Sequence, residues 1–204
     1  MRLLLSSWFL TPDNQPLVLS GGRAGIVLNA LDGYGVSRAR DYGRESRTLE
    51  SFGYSCEELD LREYFAGPEE LTERLGGLDL VWVLGGNAFV LARAMTRAGF
   101  RAAVQEQGQR TDFVYGGYSA GACVAGPDLQ GIELMDEPGV LPAGYSSSTR
   151  PECLGLVPFR IVPHWRSEHA ETEGAELAAA YLAERGLEHR RLRDGEMLEL
   201  HDIS

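Results

Sequence analysis

Phe113-Val114-Tyr115-Gly116-Gly117-Tyr118-Ser119-Ala120-Gly121-Ala122 is the stretch on which the reading of the fold turns. Its first four residues form a short apolar run of strand character, residues 117–121 match G-x-S-x-G, and Ala120-Gly121-Ala122 opens a short helical run. Strand, serine between glycines, then helix is the context a nucleophile elbow requires. Small flanking residues let the chain turn sharply, which exposes the serine Oγ and aims the helix N-terminal amides at a reacting carbonyl. In a chain with 25 glycines the five-residue pattern alone carries little weight, and its strand-to-helix setting supplies the rest. Ser119 is therefore a candidate nucleophile, set against the bland reading of a tight turn.

Outward from this stretch, apolar runs at Arg2–Trp8, Ala24–Ala30, Ser55–Leu59 and Leu80–Leu84 read as further strands. Between them lie segments of helical periodicity: Val36–Phe52, Pro68–Leu75 with a first-turn proline, and Phe89–Gln107. Alternating buried strands and helices predict an α/β fold, a mostly parallel sheet with helices on both faces. Residues 127–158 carry five prolines and the run Ser146-Ser147-Ser148-Thr149, so loops and short strands are expected there, of the kind that often forms a lid. A helix over Glu171–Arg185 follows, and short strands near Arg190–Leu192 and Met197–His201 predict a terminal hairpin around the turn Asp194-Gly195.

The chain has 204 residues, 44% hydrophobic and 24% charged, with no internal repeat or linker, which predicts one domain over 1–204. Its net charge of -11 disfavours nucleic acid and acidic membrane surfaces as partners. No apolar stretch approaches the roughly 20 residues of a membrane-spanning helix. The opening Met1–Leu10 imitates a short leader, but two serines and the absence of a small-x-small site favour a strand. Cys56, Cys123 and Cys153 form no CxxC pair and suggest neither a disulfide framework nor a zinc knuckle, so a reducing, cytoplasmic setting is expected. Cys123, one helical turn beyond Ser119, reads as a buried apolar residue.

A serine needs a base, and of His164, His169, His189 and His201 the first is best placed, because Phe159–Pro163 would deliver it at the C-terminal end of a strand. His169 falls in a polar segment, and His189 and His201 in the terminal hairpin. For the group that orients the imidazole, Asp194 in its Asp-Gly turn and Asp136 in Glu133–Pro138 are both open, since triads recur in different chain orders. Gly85-Gly86-Asn87 follows a strand and precedes a helix. Lacking G-x-G-x-x-G and a P-loop lysine, it reads better as an oxyanion hole, with the Gly86 N–H joining that of Ala120, than as a phosphate cradle. Asn87 is assigned to the substrate-facing side of that turn. No H-x-x-x-H pair occurs, so neither a metal nor any other cofactor is expected.

Three motifs in this order, Leu84-Gly85-Gly86-Asn87-Ala88-Phe89, Gly117-Tyr118-Ser119-Ala120-Gly121-Ala122 and Val162-Pro163-His164-Trp165, resemble the peptidase E family of serine peptidases, the α-aspartyl dipeptidases, with cyanophycinase more distant. The resemblance implies a fold like the class I glutamine amidotransferases, with Ser119 as nucleophile and His164 as base. The family's acid is a Glu in a Glu-Gly turn near the C-terminus, which falls on Asp194-Gly195 here and raises Asp194 above Asp136. In the aspartyl dipeptidases an arginine soon after a Glu-Thr pair meets the substrate carboxylate, whereas here Glu171-Thr172 is followed by Glu173. A carboxylate at that place would repel an aspartyl side chain and attract an ammonium group, so Glu173 is expected at the substrate and strict aspartyl specificity is not.

Together these readings predict a serine peptidase for short peptides, working through Ser119, His164 and Asp194 without a cofactor, either monomeric or as a homodimer. An esterase or amidase on the same residues, or a catalytically silent binding protein of this fold, are the rivals.

Overall fold

In the computed structural model residues 1–11, 15–17, 19–35 and 38–201 are described, and Val36-Ser37, where the first helix was expected to begin, lie outside them. The elements run β1 (Arg2–Ser6), β2 (Gly22–Val27), α1 (Arg38–Ser51), β3 (Tyr54–Glu58), α2 (Glu69–Gly76), β4 (Leu80–Val83), α3 (Ala88–Arg97), α4 (Phe100–Glu106), β5 (Val114–Tyr118), α5 (Ala120–Cys123), β6 (Arg160–Val162), α6 (Thr172–Glu184), β7 (His189–Arg191) and β8 (Met197–Leu200). Six strands form one sheet in the order β3-β2-β4-β5-β1-β8. All its pairings are parallel except that of β8, which runs antiparallel along β1.

Period-two alternation divides the core. Leu3, Leu5, Val81, Val83 and Tyr115 point to the face covered by α2, α3, α4 and α5, while Leu4, Leu80, Trp82 and Val114 point to the face covered by Leu49 and Phe52 from α1 and its end. Both faces are dry, which is why these strands read as continuous apolar runs. Among the described residues, no helix is long and apolar enough to cross a membrane.

Three expectations change. The single helix over Phe89–Gln107 is two, because Gly99 takes φ 65° between α3 and α4, and a Cβ there would stand 2.9 Å from Pro68. The terminal hairpin does not form: β7 pairs in parallel with β6 in a separate two-stranded sheet, and β8 covers the otherwise bare edge of β1. The Asp194-Gly195 turn therefore links two sheets. Residues 127–158 hold one 3-10 turn, Ile132–Leu134, and no strand. They are fastened along α3, with Arg93 donating to Pro138 O at 2.9 Å, Arg97 to Gly144 O at 2.6 Å and Asn87 Nδ2 to Glu137 O at 2.9 Å. None of them lines the pocket at Ser119, so the segment is not a lid over it.

Candidate active site

Ser119 stands between β5 and α5 with φ 49° and ψ -115°, a conformation costly for a residue with a Cβ. The glycines beside it make the turn possible. A Cβ on Gly121 would lie 2.3 Å from Val83 O, so only glycine lets α5 rest on the end of β4.

From the end of β6 comes His164, whose Nε2 lies 3.0 Å from Ser119 Oγ. Its Nδ1 lies 2.7 Å from Asp194 Oδ1, carried by the turn between β7 and β8. Parts distant in sequence thus form one hydrogen-bonded line. His164 also has positive φ, 58°, and its peptide is held at both ends: its N–H donates to Ser7 Oγ at 2.8 Å, and its carbonyl accepts from Thr172 Oγ1 at 2.7 Å. The Asp194 N–H donates to Ser167 Oγ at 2.8 Å.

The imidazole of His164 is 1% exposed, packed edge-on against Trp8 and stacked on His169 with ring centroids 3.8 Å apart. Burial lowers its pKa, the Asp194 carboxylate pulls it back up, and His169 lowers it again; the net direction is down. Nearby carboxyls move the other way. Burial lifts Glu171 to about 7, with help from Asp136 and Asp194, and burial lifts Asp136 to about 6 against the Ala88 N–H it accepts.

A pocket of about 290 Å³ opens over Ser119 and His164, walled by Trp8, Phe9 and Tyr118, with Arg40, Arg44 and Glu171 among its charged lining. The Arg44 guanidinium lies 4.9 Å from the centroid of the Phe9 ring and donates to the Tyr118 hydroxyl at 3.0 Å. A larger cavity of about 450 Å³, beside Phe89 and Cys153, lacks a nucleophile paired with a base; burial pushes the Cys153 thiol up to about 12.

The sequence-derived candidates divide accordingly. Ser119, His164 and Asp194 are brought together, and Gly86 lines the same pocket with φ 135°, where a Cβ would meet Ala30 O at 2.6 Å. Asp136 is not beside the imidazole: its Oδ2 accepts the Ala88 N–H at 2.7 Å, at the start of α3. Asn87 does not line the pocket, since its Oδ1 caps α3 through the Val90 N–H and its Nδ2 serves Glu137 O. Glu173 is exposed on the first turn of α6 and is absent from the lining, whereas Glu171 is part of it. The helix begins at Thr172, which turns the next residue outward. Cys123 is buried, its Sγ 3.5 Å from Ile161 O.

Sequence reasoning passed over Ser7, Trp8 and Arg44, set His169 aside in a polar segment, and read Glu171 only as part of the Glu-Thr pair. Ser7 alone left a usable mark, a polar residue closing an apolar strand. His164, His169 and Glu171 place ligand-type atoms within 4.8 Å of one another. The two imidazoles are only 11° from parallel, so their in-plane lone pairs run alongside rather than converge, and the trio is not a preformed metal centre.

A mostly parallel sheet whose inner strand ends in a strained serine beside a buried imidazole is a nucleophile-elbow α/β architecture. The chain belongs to peptidase family S51, whose sequence model matches residues 38–204, and this is the peptidase E family that the three motifs resemble. It is 35% identical over 147 residues to peptidase E of Streptomyces coelicolor, covering 70% of this chain and 56% of that protein. It is 32% identical over 121 residues to an uncharacterised peptidase of Listeria monocytogenes, covering 59% and 56% respectively. The chain thus spans about half the length of the curated relatives it matches. A crystal structure from Listeria monocytogenes, of a protein assigned by name to peptidase E, superposes with TM-score 0.76 at 24% identity over 100% of this chain and 95% of that one. A peptidase from an acI-B1 actinobacterium gives TM-score 0.69 at 18% identity, over 98% and 83%. These two likenesses establish the fold.

Proposed function

We propose that the protein is a serine peptidase acting on short peptides, with Ser119 as nucleophile, His164 as general base and acid, and Asp194 as the group that orients the imidazole. The observation that carries this reading is the continuous line from Ser119 Oγ through His164 to Asp194, at 3.0 and 2.7 Å. His164 Nε2 takes the hydroxyl proton as Oγ attacks the scissile carbonyl, then gives it to the leaving amine; Asp194 fixes Nδ1–H and supports the transient imidazolium. Water repeats the sequence on the acyl-enzyme. The backbone N–H groups of Gly86 and Ala120 receive the oxyanion, a role supported by their having no acceptor of their own among the described residues.

Membership of family S51 favours peptide over ester substrates. Hydrolysis of a dipeptide and tripeptide library, read by mass spectrometry for the wild type and Ser119→Ala, tests the assignment. Turnover of p-nitrophenyl esters with every peptide left intact would point to an esterase, and no labelling of Ser119 by a fluorophosphonate to a silent binding protein.

The substrate's free amino terminus is assigned to Glu171, whose Oε2 lies 3.8 Å from His164 Nε2. With no arginine directly after its Glu-Thr pair, the site is not expected to demand an aspartyl residue. Glu171→Gln should raise KM for a dipeptide about tenfold, the scale of one hydrogen bond to a charged group, and leave KM for its N-acetyl derivative unchanged. Equal KM changes for both substrates would remove Glu171 from ammonium recognition.

Two ionisations should separate in the pH profile. His164 acts only when neutral and its pKa is lowered, so kcat/KM for an N-acetylated dipeptide, which reports the free enzyme, should fall on acidification with a midpoint below the ordinary histidine value of about 6.5. Glu171 ionises near 7, so KM for a free dipeptide should fall as pH rises through that region. A midpoint above about 6.5 in that kcat/KM profile would contradict the buried-base account.

A further inference from the structure

The three residues assigned to the chemistry arrive from separate segments: the end of β5, the residues after β6, and the β7–β8 turn. Two of them, Ser119 and His164, hold positive φ, which persists only where surrounding contacts over-determine it. All three are tied to one short piece of chain, Ser6-Ser7, where β1 leaves the sheet between β5 and β8. The Ser119 N–H donates to Ser6 O at 3.1 Å. The His164 N–H donates to Ser7 Oγ at 2.8 Å, and Ser7 Oγ donates to Asp194 Oδ1 at 2.8 Å.

Ser7 is 0% exposed, and its own N–H is fixed on Glu196 O at 3.1 Å. A hydroxyl has one proton and two lone pairs, so it can accept from the histidine backbone and donate to the carboxylate at once. Leu192 O, at 3.3 Å, is a second and weaker acceptor for that proton. Asp194 Oδ1 therefore receives two donors, the Ser7 hydroxyl and His164 Nδ1. The Asp194 side chain is 24% exposed, so without the hydroxyl, water competes for the carboxylate and its rotamer is no longer set from the protein side.

We propose that Ser7 is a positioning residue of this site, holding the Asp194 carboxylate and the His164 backbone in register from the rigid end of β1. This rests on the Ser119–His164–Asp194 reading above. Ser7 touches neither substrate nor nucleophile; it acts through Asp194, and that distinguishes it from a residue that merely fills space.

The test is a double-mutant cycle of Ser7→Ala and Asp194→Ala, each variant checked for folding by near-UV circular dichroism. The readouts are the rate of Ser119 labelling by a fluorophosphonate and the His164 titration midpoint by NMR of histidine-labelled protein. In the wild-type background Ser7→Ala should slow labelling about tenfold or more, the scale of one hydrogen bond to a charged group. It should also lower the His164 midpoint, because burial and His169 then act against weaker carboxylate support. In the Asp194→Ala background the hydroxyl donates only to Leu192 O and still accepts the His164 N–H, so adding Ser7→Ala should slow labelling by a clearly smaller factor than in the wild-type background and leave the midpoint unmoved. Ser7→Thr, which keeps the hydroxyl, should restore both readouts, and Ser7→Cys replaces alanine in the cycle if the alanine variant does not fold. Equal losses in the two backgrounds would reduce Ser7 to a structural role and overturn the proposal. A midpoint unchanged by Ser7→Ala overturns it even without activity, whereas absence of wild-type labelling and hydrolysis with that midpoint shifted as expected strikes the peptidase reading alone.

Discussion

Ser119→Ala is expected to lower kcat/KM for peptide hydrolysis by about 100,000-fold, and His164→Ala by a comparable factor, because members of a nucleophile–base unit fail together rather than additively. Among the described residues the Ser119 side chain hydrogen-bonds to His164 Nε2 alone, so alanine there removes the reacting atom without breaking a network of core hydrogen bonds. His164→Ala is less innocent. The ring is clasped between Trp8 and His169, and its loss leaves a gap in a buried aromatic stack. His164→Gln, which keeps most of the volume but cannot act as a base, is the control. Both histidine variants should melt as cooperatively as the wild type and remain inactive. Turnover within about tenfold of wild type in a folded Ser119→Ala protein would remove the nucleophile from Ser119 altogether.

How much of this was legible beforehand depends on how local the determining physics is. The strand-to-helix turn at Ser119 is written in consecutive residues, because the close approach of Gly121 to Val83 leaves no room for a Cβ. The core strands were equally readable, since burial on both faces produces unbroken apolar runs. Gly99 shows the limit of periodicity: an apolar pattern continues through a glycine whose positive φ splits the helix, and its neighbour across the break, Pro68, is distant in sequence. The supposed hairpin failed for a related reason. Two short strands flanking Asp-Gly satisfy the local rule, yet each found a better partner, β6 for one and the bare edge of β1 for the other. Glu173 and Glu171 are two positions apart, and only the start of α6 at Thr172 decides which of them meets the pocket. Ser7 lies 187 positions from the carboxylate it contacts, a pairing that no motif spacing could announce.

Asp194→Asn is the substitution with the next largest expected effect, a loss of about 10,000-fold in kcat, against less than about tenfold for Asp136→Asn. An asparagine at 194 can present its amide N–H to Nδ1, which then has to accept. Nε2 carries the proton in that tautomer and cannot take one from Ser119. Geometry and volume are nearly preserved, so the loss reports proton placement rather than packing. Asp136 differs in what it touches. Its carboxyl accepts the Ala88 N–H, and its pKa near 6 means that burial already penalises its charge. Asparagine keeps an acceptor for Ala88 and deletes the buried charge, so Asp136→Asn should leave kcat nearly intact, with a small change in KM through its influence on Glu171. The two sequence candidates for the acid are thus separated by one measurement, kcat for each variant on the same dipeptide near pH 8, where the carboxyls at 136 and 171 are ionised. A larger loss at 136 than at 194 would reverse the assignment and would require Asp136 to leave α3 during turnover. Small and equal losses would make His164 and Ser119 a dyad, with the Asp194 turn serving only to shape the pocket wall.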